Sequence, residues 1–171
     1  MPWRTPGRRN DRTMIMTLAK TSLAAFAASL ALASFALPAQ AEEFDVKMLN
    51  KGEKGVMVFE PDFVRAQPGD TINFIAANPG HNAETMKGML PEGAEAFKSK
   101  TSKDFSVTLD KEGVYGVRCT PHFAMGMVAL IVVGDSSSNL EEAKAVKTPG
   151  MAKKKFSALF DQAAEHDVAA K

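Results

Sequence analysis

The chain has 171 residues, 45% of them hydrophobic, and its 21 basic and 20 acidic side chains give a formal net charge of +1. That balance offers nucleic acid no electrostatic footing. A single cysteine, Cys119, excludes an internal disulfide and hence a small disulfide-stapled scaffold.

The chain opens with positive residues (Arg8, Arg9, Arg12, Lys20), then an Ala/Leu-rich run from Leu23 to Leu37 that ends in Pro38-Ala39-Gln40-Ala41. A basic flank, an apolar run and small residues at Ala39 and Ala41 form an export signal cleaved after Ala41. Residues 1–41 are therefore expected to be a signal peptide, and 42–171 a single mature domain. The run is mostly Ala, contains Ser29 and Ser34 and meets a cleavage pattern at once, so no membrane anchor is expected in the mature form. Met14 and Met16 each precede a more compact version of the same signal.

Taking the five basic residues and one acidic residue of 1–41 from the totals of 21 and 20 leaves 16 against 19, a net charge of about −3. About 130 residues suffice for one domain with its own core and leave little room for two. Export leads to an oxidising compartment, where a bare thiol is a liability. Something is expected to protect Cys119.

Seven segments in the mature chain have strand character: 44–49, 56–59, 63–66, 71–76, 105–109, 114–119 and 128–133. Lys51-Gly52, Pro68-Gly69-Asp70, Pro79-Gly80, Glu112-Gly113 and Gly134-Asp135 separate them, the rhythm of an antiparallel β-sandwich. Ile72, Phe74 and Ala76 are expected to face one side and Thr71, Asn73 and Ile75 the other, as in a strand, whereas Val128–Val133 is apolar throughout and suits burial on both faces. Ala83–Lys103 has poor strand character and is expected to be a loop with short helical turns.

The tail changes period. Ser138 and Glu141 stand at capping-box spacing, predicting a helix through Lys147. After Pro149, Ala152, Phe156, Leu159, Phe160, Ala163 and Ala164 form an apolar stripe at helical spacing. A helix pair packed on the sandwich is expected from about residue 138. Lys153-Lys154-Lys155 reads as a solvated face, and His166 as a surface residue.

The segment Cys119-Thr-Pro-His122-Phe-Ala-Met-Gly-Met127 offers thiolate, imidazole and thioether in a loop between the last two strands. Strands at both ends fix the backbone and can aim these groups at one point, with His81 arriving from elsewhere. A lone cysteine is commonly a small buried hydrophobe; the grouping is what carries chemistry. Soft sulfur with two imidazoles suits copper cycling between Cu(I) and Cu(II), while Met127 makes a poor fourth ligand for structural zinc. By chemistry alone, either Met125 or Met127 can be the weak axial ligand. No second metal cluster, nucleophile–base pair or cofactor loop is visible, so an enzyme is not expected. A periplasmic copper-binding or copper-delivery protein is the other reading, but it would expose exchangeable Met or His ligands instead of committing a buried thiolate.

The spacing Cys119-x2-His122-x4-Met127 with upstream Gly80-His81-Asn82 resembles the cupredoxins, the type 1 blue copper proteins. Met48-Leu-Asn-Lys-Gly, Val58-Phe-Glu-Pro, Gly80-His-Asn-Ala-Glu-Thr, Gly93-Ala-Glu-Ala-Phe-Lys-Ser-Lys and Gly113-Val-Tyr-Gly-Val extend the likeness from Phe44 into the tail. The resemblance implies a mainly β, eight-stranded Greek-key sandwich with two C-terminal helices. It also implies one copper ion on His81, Cys119, His122 and Met127, with His122 as the exposed ligand. Asn82, helped by Asn50, would tie the His81 segment to the ligand loop. The implied role is a monomeric periplasmic carrier passing single electrons among transient partners, such as copper nitrite reductase and c-type cytochromes. Met57, Pro121 and Met125 would form the docking patch, ringed by Lys51, Lys54, Lys87, Lys98, Lys100 and Arg118. Pro79 stands where the family leads one to expect Lys.

Overall fold

The computed structural model describes Met1, Trp3 and residues 40–169, the side chains of 166–169 excepted. Of the expected signal peptide, residues 2 and 4–39 lie outside the described residues, as does the side chain of His166. Two compact units divide the chain, Met1–Gln40 and Ala41–Lys171, and the second carries every element below.

Among the described residues, eight strands form two four-stranded sheets. The first sheet contains β1 (Glu43–Gly52), β2 (Gly55–Glu60), β4 (Asp70–Ile75) and β6 (Phe105–Leu109), in the order β2-β1-β4-β6. The second contains β3 (Phe63–Ala66), β5 (Glu84–Thr85), β7 (Gly113–Arg118) and β8 (Val128–Val133), in the order β3-β8-β7-β5. Each sheet has one parallel pair, β1 with β4 and β3 with β8. The chain therefore crosses between sheets instead of meandering, as Greek-key winding requires.

The alternation read in β4 holds: Ile72 and Phe74 are fully buried between the sheets, where Phe74 meets Phe59 edge-on at 5.9 Å. The continuous apolar run of β8 is buried on both faces. Ala129, Ile131 and Val133 join the inter-sheet core, while Val128, Leu130 and Val132 face the other way into a second cluster. That cluster is closed by the tail, α1 (Leu140–Ala145) and α2 (Gly150–Ala169), through Ala152, Phe156, Leu159, Phe160 and Ala163. Helices here cover a sheet face too apolar to meet water. Among the described residues, no helix is long and apolar enough to cross a membrane.

Two expectations need correction. Ser138 and Glu141 form no capping box. Ser138 ends a 3-10 turn, Ser136–Ser138, and its hydroxyl donates to the Glu112 carbonyl at 3.1 Å. Asn139 takes the N-cap position but spends its side chain on β7, accepting from Val114 N at 2.7 Å and donating to Val114 O at 2.9 Å. Docking α1 onto the sheet thus outweighs a local cap, since a buried strand edge left unpaired costs more than a frayed helix start. Likewise, 83–103 has isolated turns, closed by Met89 N–H on Met86 O at 3.0 Å and Ala94 N–H on Pro91 O at 3.1 Å, but no helix. It contains β5, whose two residues pair with Arg118 and Val117, and a bridge from Glu84 to Lys98.

Candidate metal centre

Each chemically active side chain is placed by a different element. Cys119 follows β7 directly and is fully buried in the inter-sheet core. The chain then turns through Thr120 and Pro121 to His122 and a 3-10 turn, Phe123–Met125, which closes on Gly126 at φ 90°. Cys119 N–H donates to Met127 O at 3.0 Å, and Met127 N–H donates to His122 O at 3.2 Å. These bonds pinch the loop at its base, so its two ends enter the sandwich side by side. Helix α2 supports it from outside: a Cβ on Gly150 would stand 2.8 Å from Ala124 O, an approach only glycine allows.

His81 arrives from the connection between β4 and β5 and is fully buried. Its Nε2 donates to Asn50 Oδ1 at 2.8 Å, because an amide oxygen only accepts. That bond fixes the tautomer and leaves the Nδ1 lone pair facing the cluster. Nδ1 of His81 lies 3.1 Å from His122 Nδ1 and 3.8 Å from Cys119 Sγ, and His122 Nδ1 lies 3.5 Å from the same sulfur. The three donor atoms all fall within 4.8 Å of one another.

Met127 is fully buried in the same core cluster as Cys119, whereas Met125 is 50% exposed. Burial separates the two methionines that chemistry alone left equivalent. His122 is half-buried, beside exposed Pro121 and Met125.

Burial pushes the Cys119 thiol up, although backbone amides of Asn82 and His122 donate to the sulfur and act the other way. His81 is lowered by burial and by its neighbour His122, which keeps the ring neutral and its lone pair free. A buried cysteine sulfur beside two imidazole nitrogens is a soft donor set that a copper ion satisfies and a hard cation does not.

The surrounding shell holds Asn82, as expected, and also Glu84. Asn82 Oδ1 accepts from Thr120 N at 2.9 Å, and its Nδ2 donates to Thr120 Oγ1 at 3.1 Å. Glu84 accepts from Thr120 Oγ1 at 2.7 Å and pairs with Arg118 and Lys98, each at 3.4 Å. Sequence reasoning missed Glu84, which lies on a two-residue strand with no periodic pattern to mark it. The expected basic ring is altered accordingly. Lys98 and Arg118 are tied to Glu84, and Lys54 to the buried carboxylate of Asp62, while Lys51, Lys87 and Lys100 stand exposed.

Asn50 lies on a second irregular feature. The β1–β2 ladder pairs Leu49 with Val58 and Lys51 with Val56 but skips the step between Asn50 and Met57, where Met57 takes φ 52°. The strained residue thus sits opposite the side chain that orients His81.

Comparison with known proteins agrees with this geometry. Residues 46–134 match the family model described as copper binding proteins, plastocyanin/azurin family. A pseudoazurin of Paracoccus pantotrophus is 53% identical over 136 residues, 80% of this chain and 94% of its own. The crystal structure of the pseudoazurin of Methylobacterium extorquens AM1 superposes with a TM-score of 0.69 at 52% identity, covering 70% of this chain and 98% of that one. The pseudoazurin of Hyphomicrobium denitrificans gives 0.67 at 40% identity, over 70% and 97%.

Proposed function

This chain belongs to the plastocyanin/azurin family of copper-binding proteins, in its pseudoazurin branch, and from that premise we propose that His81, Cys119, His122 and Met127 hold its copper. It is a copper electron-transfer protein and not an enzyme. The observation that carries the ligand assignment is the convergence of one thiol sulfur and two imidazole Nδ1 atoms within 4.8 Å. Met127 completes the set as the buried thioether at the base of the same loop.

Bound copper supplies a one-electron couple between Cu(I) and Cu(II). The protein's part is to hold the donors still. Cys119 and Met127 are anchored by adjacent strands, and His81 by Asn50, so the ligand set has little freedom to rearrange. His122 is half-buried, beside exposed Pro121 and Met125, where a partner can approach. The full burial of Cys119 and His81 argues against copper delivery, which needs exchangeable surface ligands.

The mature protein begins at Glu42 after removal of residues 1–41, works in the periplasm as a monomer, and passes electrons to a denitrification reductase such as copper nitrite reductase. Its donors include c-type cytochromes. Docking takes place around Pro121 and Met125 and is steered by Lys51, Lys87 and Lys100 toward acidic partner surfaces.

The test is an absorption and paramagnetic-resonance spectrum of copper-loaded protein. An intense visible band that disappears in Cys119→Ala is expected, and a colourless copper-loaded protein would sink the assignment. Stopped-flow transfer to copper nitrite reductase should slow as salt rises; a salt-independent rate rejects the steering.

A further inference from the structure

Glu84 occupies a place that the ligand assignment does not explain. Strand β5 pairs Glu84 with Arg118, the residue before Cys119. Its Oε1 accepts from Arg118 Nη2 at 3.4 Å, and its Oε2 accepts from the hydroxyl of Thr120, the residue after Cys119, at 2.7 Å. One carboxylate therefore grips both sequence neighbours of the central sulfur. Resting on the assignment above, we propose that Glu84 is a positioning residue for electron transfer, and that its negative charge lowers the reduction potential of the Cys119 centre.

The connection to the sulfur is continuous. Thr120 Oγ1 has a single hydrogen and gives it to Glu84, so its lone pairs face the Asn82 side-chain amide, 3.1 Å away. Asn82 Oδ1 holds Thr120 N–H at 2.9 Å, and the backbone N–H of Asn82 reaches the Cys119 sulfur. The carboxylate thus fixes the frame that delivers an amide hydrogen to sulfur.

Its charge acts alongside. The Glu84 side chain is only 18% exposed, so water screens it less than an acid on the open surface. The Thr120 hydroxyl, Arg118 and Lys98 hold its carboxyl below the usual range, against the upward push of burial, so it stays ionised at neutral pH. Arg118 depends on it: Nε is buried with no hydrogen-bond partner, and the guanidinium lies 5.3 Å from the Phe123 ring centre. Neutralising Glu84 leaves Arg118 and Lys98 without their counter-charge. The field at the sulfur then becomes more positive and favours an added electron.

The experiment is a redox titration of copper-loaded protein, with the visible band recorded in parallel. Glu84→Gln keeps the shape and a hydroxyl acceptor while removing the charge. It is expected to keep the band and raise the ratio of reduced to oxidised protein at fixed poise about tenfold, which is about 59 mV for one electron. Glu84→Asp keeps the charge and should stay near the unaltered protein. Glu141→Gln removes an 81% exposed acid from α1 and should leave the ratio unchanged. An unshifted Glu84→Gln, or an equal shift in Glu84→Asp or Glu141→Gln, overturns the inference. Absence of the band in the unaltered protein instead defeats the copper assignment itself, so the two failures are distinguishable.

Discussion

Asn82 and Thr120 bond to each other twice, backbone amide to side-chain carbonyl at 2.9 Å and side-chain amide to hydroxyl at 3.1 Å. They are 38 positions apart in sequence, and the pair joins the segment carrying His81 to the loop carrying Cys119 and His122. Asn82 is 2% exposed, so water does not replace what it supplies. Asn82→Ala should cost about 2–3 kcal/mol of stability, since two partners lose their bonds and one is a backbone amide. Urea unfolding of metal-free protein measures it; a loss below about 0.5 kcal/mol would show that the pair does not matter.

Asn50 controls which nitrogen of His81 is free. Without the bond from Nε2 to Asn50 Oδ1, the ring can place its proton on Nδ1 and turn its lone pair away from the cluster. Asn50→Ala is expected to weaken copper binding about 10–100-fold, read by competition with a chelator. Unchanged affinity would mean that packing alone orients the ring.

Pro121 withholds a donor beside a sulfur that already accepts amides from Asn82 and His122. Pro121→Ala restores an N–H, and a new bond to thiolate stabilises the electron-rich reduced state. At about 1 kcal/mol for such a bond, the potential should rise by about 40 mV. A potential equal to or below that of the unaltered protein rejects the argument.

The tail helix is a structural lid on β8. Phe156 is 2% exposed and stacks near Phe160 with ring centres 5.9 Å apart. Phe156→Ala should lower stability by about 3–5 kcal/mol through lost burial and the cavity left behind. Denaturation midpoints measure this, and a change under about 1 kcal/mol would mean that α2 is not part of the cooperative fold.

Glu84 also sets an acid response. Its carboxyl is lowered chiefly by the hydrogen bond from Thr120, with Arg118 and Lys98 adding to it. A depressed folded value means that the unfolded chain takes up the proton first. The group's stabilisation is therefore complete above its unfolded value of 4.5 and is lost as pH falls through the folded one. Metal-free protein should lose stability below that point more steeply than Glu84→Gln does; parallel pH profiles from urea titrations would contradict this.

The sequence by itself determined the sandwich and its helical tail. The apolar run of β8 announced a strand with two buried faces, and the stripe from Ala152 to Ala163 announced the helix that covers one of them, because period and composition are local properties. Local spacing also marked Cys119, His122 and the two methionines as one loop. Spacing alone could not choose between Met125 and Met127, which the family resemblance distinguishes and burial separates, nor bring His81 to the sulfur and Asn50 to His81, since those contacts depend on how strands distant in sequence pair. The same holds for Glu84, whose importance comes from the register of a two-residue strand, and for Ser138, whose apparent cap gave way to the hold of Asn139 on β7. Patterns along a chain report what each segment prefers; only packing decides which segments meet, because that depends on burying surface and pairing polar groups over the whole fold.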